Sequence, residues 1–159
     1  MVEFVLAGIA SATMLISTVQ LAIGMWNYHT LAYGIHEVTR YASVRGKGCT
    51  NPGNTCSVSI GTLAHKLASL SIGVPASAMN VTFTTESGAQ TSCNPLTSCF
   101  SDATIWPPAT NHDNSLGKMI KVEGRYQYNS ALIVLWPGVS SPRFGTFVLP
   151  ASSTQTLVY

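Results

Sequence analysis

Charge is what this sequence has least of. Asp, Glu, Lys and Arg together make up 9% of its 159 residues, against roughly 25% in ordinary soluble domains. The twenty-five residues from Phe4 to Tyr28 carry no Asp, Glu, Lys, Arg or His, and no Lys or Arg stands before Arg40. The eight basic and six acidic side chains leave a formal charge of +2 and no basic stripe, which argues against nucleic acid as a partner, because phosphate neutralisation needs clustered cations. A surface poor in charge and rich in Ser, Thr, Asn and Gly suits an extracellular or packed setting better than cytosol, where net charge sustains solubility.

Chemistry-bearing motifs are also scarce. The four cysteines fall as two local pairs, Cys49 with Cys56 and Cys93 with Cys99, and neither has the C-x2-C spacing of a zinc site. No phosphate loop, dinucleotide fingerprint or paired-carboxylate constellation is present, so neither a cofactor nor an enzyme is expected. Ser115-Leu116-Gly117-Lys118 matches S-x-x-K, but it lies at a loop-to-strand junction without the companion motifs of that catalytic class. His112-Asp113 does not place a carboxylate behind an imidazole. His29 and His36 are read as residues of a packing or headgroup boundary rather than metal ligands.

What is present begins with the charge-free run itself. A helix over Phe4–Tyr28 would reach roughly 37 Å at about 1.5 Å per residue, enough to cross a bilayer's hydrocarbon layer. Glu3 precedes the run where a secretory leader would carry positive charge, so the segment reads as a mature N-terminus rather than a removable signal. Ala7, Gly8, Ala10, Ser11 and Ala12 are small, and Thr13, Ser17, Thr18 and Gln20 are polar. Small residues let helix backbones approach, and hydroxyls and amides bond across helix interfaces, so this helix is built to pack on other helices. A single-pass anchor with tolerated polar positions is the plainer alternative. Glu3 must stay wet or find a cation: it is either a solvated helix start favoured by the macrodipole, or a partner of the Met1 amino group, its own or a neighbour's.

Leu31, Ile35, Val38 and Ala42 continue with amphipathic spacing, which extends one helix from about residue 4 to 45, ended by Gly46, Gly48 and Pro52. Ser57 to Ile72 reads as a second helix capped by Ser57 or Ser59. Asn80–Thr85 alternates as a strand. Lys118–Tyr128 alternates more cleanly, with Ile120, Val122, Gly124, Tyr126 and Tyr128 on the covered side. Ala131–Trp136, Phe144–Leu149 and Thr154–Tyr159 are further strand candidates. Glu86–Ser115 has no period and is expected to be a long loop clipped by cysteines, with Trp106-Pro107-Pro108 a rigid, exposed segment. The fold class is therefore α+β: residues 1–46 a hydrophobic then amphipathic helix, and 47–159 a small extracellular head with a second helix and about four antiparallel strands. Short disulfide loops suit a small exported domain, and Cys49–Cys56 with Cys93–Cys99 is the expected pairing among the three that four cysteines allow. Asn80-Val81-Thr82 fits the N-glycosylation pattern.

Three places in this order resemble the TadE-like family of pilin-related proteins: Val2-Glu3-Phe4 opening the apolar helix, Glu37 with Arg40-Tyr41-Ala42 near its end, and the strand Val122–Tyr128 followed by Ala151-Ser152-Ser153. The resemblance covers roughly the first 45 and last 40 residues. It implies a prepilin-like precursor held in the inner membrane, cleaved by a prepilin peptidase, and drawn by pilus assembly machinery into a filament at the cell surface. The partners would then be copies of the chain itself, packed through Met1, Glu3, Phe4, Ala7, Gly8, Ser11 and Gln20. The alternative is a membrane-anchored accessory or minor pilin of a pilus or secretion machine.

Overall fold

The computed structural model describes residues 2–49, 56–130 and 146–158. Helix α1 runs unbroken over Val2–Ser43, as the two successive hydrophobic patterns require. Ile60–Leu70 forms α2, and four strands follow: β1 (Met79–Thr85), β2 (Gln90–Cys93), β3 (Met119–Asn129) and β4 (Thr146–Thr156). They make one antiparallel sheet in the order β2-β1-β3-β4.

The second half of α1 is the central element of the head's core. Leu31, Ile35, Val38 and Ala42 are fully buried, and they meet Met79, Val81 and Phe83 of β1 with Ile120 and Val122 of β3 in one apolar cluster. Two glycines set how close α1 comes to its neighbours. A Cβ on Gly124 in β3 would collide with Cδ1 of Ile35, and one on Gly34 would lie 2.8 Å from Ser71 Oγ and 3.1 Å from Leu67 Cδ1 at the end of α2. Helix and sheet, and helix and helix, therefore pack backbone to side chain with nothing between. At the C-terminal end of α1, Tyr41 carries the guanidinium of Arg45 at 3.5 Å and the ammonium of Lys66 at 3.7 Å from its ring centre, which adds a cation–π tie between the two helices.

Helix α2 starts at Ser59, whose Oγ accepts from Thr62 N at 3.2 Å. The amides of Ile60 and Gly61 donate to the carbonyls of Thr104 and Asp102, each at 2.9 Å, so the donors that a helix start leaves unpaired are satisfied by the long connection. That connection holds more structure than its aperiodic sequence suggests. Its first part forms β2, a four-residue edge strand whose only buried side chain is Cys93; a strand that buries so little has no apolar alternation to betray it. Trp106 is 3% exposed, not displayed, and meets Phe83 edge-on at 5.4 Å, so the expected exposed Trp-Pro-Pro segment is corrected to a core anchor.

The C-terminal strand also differs from expectation. Phe144–Leu149 and Thr154–Tyr159 are not two strands: Thr146–Thr156 is one, paired with β3 along its full length from Asn129↔Thr146 to Met119↔Thr156. Pro150 does not break the pairing: among the described residues β4 is at the sheet's edge, where a residue without an N–H is tolerated. The candidate strand Ala131–Trp136 and the helix stop at Pro52 lie outside the described residues.

Candidate assembly interface

Among the described residues, the first half of α1 touches almost nothing. Phe4 is 85% exposed, and Ala7, Gly8, Ser11 and Leu15 are exposed with it; a Cβ added at Gly8 would meet no atom within 4 Å. Within α1, Ala7–Ser43 is long and apolar enough to cross a membrane. Of the other expected assembly residues, Met1 and the side chain of Glu3 lie outside the described structure.

The polar side chains of this half are not left reaching outward. Ser11 Oγ donates to Ala7 O at 2.8 Å, Thr13 Oγ1 to Ala10 O at 2.9 Å, Ser17 Oγ to Thr13 O at 2.7 Å, and Thr18 Oγ1 to Met14 O at 2.8 Å. Each hydroxyl is satisfied on the preceding turn, the local bonding open to Ser and Thr in helices. A hydroxyl bonded this way adds little desolvation cost in lipid or in a dry protein interface, so the same surface is compatible with both. Within the subunit their donors are already engaged.

Gln20, by contrast, bonds to the head. Its side-chain oxygen accepts from Tyr128 Oη at 2.7 Å and from Ser130 Oγ at 3.5 Å. It sits at the neck where α1 enters the head. Alternation in β3 identified Tyr128 as inward-facing, but no sequence signal could pair it with a residue 108 positions away.

The remaining candidates separate. The disulfides are Cys49–Cys56 and Cys93–Cys99, the first partly exposed and the second buried. Asn80 is exposed on β1. His29 and His36 are exposed on α1, and among the described residues no group of three or more His, Cys, Asp or Glu could hold a metal ion. Lys118 does not serve Ser115: its Nζ donates to Glu86 Oε1 at 2.7 Å, and Glu86 Oε2 accepts from Met119 N at 2.9 Å. The hydrogen bond and charge of Lys118, with the Met119 amide, hold the Glu86 carboxyl below its ordinary value, and Glu86 in turn raises Lys118.

Asp113, also part of a catalytic-looking pair in sequence, is a structural bolt. It is 1% exposed and accepts from Thr85 Oγ1 at 2.7 Å, from Ser87 N at 3.3 Å and from Ser87 Oγ. Burial pushes its carboxyl up, but the Ser87 and Thr85 hydrogen bonds and the charge of Lys118 outweigh it and hold the group below the usual carboxylate value. The β1–β2 turn is thereby fixed to the connection that leads into β3.

No family model, no curated protein and no solved structure matches this chain.

Proposed function

We propose that the chain is a structural, pilin-like subunit that polymerises into an extracellular filament through the bare half of α1, and that the same half anchors it in the inner membrane before assembly. One observation carries this reading: a single helix whose C-terminal half is locked into the head by Leu31, Ile35 and Val38, while the charge-free stretch from Phe4 presents exposed apolar side chains to the outside. An exposed apolar surface of that length needs a lipid or protein environment. Moving it from lipid to protein gains little hydrophobic energy, so packing and small-residue contact must drive polymerisation, and Ala7, Gly8 and Ser11 supply the close-approach surface.

The resemblance to TadE-like pilins supports the same reading and supplies its partners: copies of the chain, a prepilin peptidase and pilus assembly machinery. Cryo-imaging of material sheared from the cell surface tests it. A helical array with α1 bundled at its axis and heads outside is the expected result; a chain that stays with membranes in every preparation overturns the polymer and leaves the accessory role.

A further inference from the structure

The neck between the bare helix and the head is ringed by exposed apolar and aromatic side chains. On α1 these are Leu21, Met25, Trp26 and Tyr28, with Trp26 61% exposed. The head contributes from two sides. Ile72, in the turn after α2, is 67% exposed, and its neighbour Gly73 lies against Trp26, so that a Cβ there would sit 3.6 Å from the indole Nε1. Phe147, 53% exposed, and Val148 open β4, and the Tyr128–Gln20 hydrogen bond holds the neighbouring end of β3 level with the last bare turn of α1.

We infer that this collar is a seat for the lipid–water interface, which holds the head at a fixed height on the membrane in the anchored state; the inference rests on the membrane-anchored reading above. Three observations place lipid, rather than another protein, around it. The bare run Phe4–Gln20 is about 25 Å long and the collar from Leu21 to Tyr28 adds about 10 Å, so a hydrocarbon layer of about 30 Å ends within the collar. The aromatics there are Trp and Tyr, whose rings favour the headgroup level because one end is apolar and the other can bond water. Charge resumes beyond it at Arg125, which is exposed and borders a cleft with Tyr28, Glu123 and Pro150 at the height where headgroups would lie.

The test uses the full chain in phosphatidylcholine vesicles, prepared with and without bromines near the headgroup end of the acyl chains. Subtracting the emission of Trp26→Phe isolates the Trp26 signal, and Ile72→Trp in that background moves the reporter to the head's side of the collar. Both positions are exposed, so neither change disturbs the core. Blue-shifted emission from both sites, with loss of most of its intensity to the bromolipid and little to iodide, is expected. Flotation with vesicles combined with iodide-accessible, bromolipid-insensitive emission overturns the collar while leaving the anchor intact. Failure to float with vesicles overturns both.

Discussion

The hydroxyl of Tyr128, at the end of β3, donates to the side-chain oxygen of Gln20 in α1 at 2.7 Å. This contact marks where the stalk becomes part of the head. Tyr128→Phe removes a donor and its bond together and should cost about 1 kcal/mol. Gln20→Leu removes the side-chain acceptor shared by Tyr128 and Ser130 and leaves the Tyr128 hydroxyl only the longer bond to the residue 20 carbonyl at 3.3 Å, so it should cost more, about 2 kcal/mol. Denaturant titration of the detergent-solubilised protein measures both, and the reverse order would show that the bond does not fasten the neck.

Gly124→Ala should destabilise the head by about 1–3 kcal/mol through overpacking, since the new Cβ meets Ile35 Cδ1. Ile35→Val deletes that atom. The two changes together should therefore be less destabilising than the sum of each alone, and a double-mutant cycle reads the difference directly. Additivity would mean that α1 does not rest on Gly124.

The Asp113 carboxyl has its folded pKa below its unfolded one. Its contribution is therefore present above the ordinary carboxylate value, declines as pH falls below it, and is gone once pH drops through the depressed folded value. Glu86 is shifted in the same direction. Asp113→Asn should flatten the acid limb of a stability-against-pH curve, and an unchanged limb would rule the bolt out as its source.

The two disulfides should part company under reductant. Cys93 is fully buried and Cys99 6% exposed, whereas Cys49 and Cys56 are each partly accessible. Timed alkylation with mass spectrometry should label Cys49 and Cys56 first. Loss of the Cys93–Cys99 bridge, which closes a loop of sequence separation 6, should cost about 2 kcal/mol in the loop-entropy view.

Gly8→Leu separates assembly from folding. Nothing among the described residues lies near that position, so head stability should be unchanged while filament yield falls sharply, because a bulky side chain blocks close helix approach. Normal yield from a folded variant would remove Gly8 from the packing surface. Glu3→Ala should likewise slow assembly and spare the head, with sheared-filament yield as the readout.

Periodicity and capping chemistry made much of the architecture readable. The apolar register Leu31-Ile35-Val38-Ala42 marked the buried face of α1, the choice of Ser57 or Ser59 as cap located the start of α2 to within two residues, and alternation from Ile120 to Tyr128 identified the inner face of β3, because burial on one face leaves a repeat in the residues themselves. β2 left no such trace, being an edge strand held by backbone pairing to β1, and Trp106 looked like part of an exposed turn because the proline pair beside it says nothing about which way the indole faces.

By itself the sequence determined that a long helix, uncharged from Phe4 to Tyr28 and then amphipathic, precedes a cysteine-bearing α+β head, since length, hydropathy and local spacing are properties of consecutive residues. Only the tertiary structure decided that half of that helix is the core of the head, that Gln20 sits at the neck, that Asp113 is buried against Thr85 and Ser87, and that one strand runs through Pro150. Each of these depends on contacts between residues far apart in the chain, where energy is set by distance in space and a one-dimensional pattern carries no record of it.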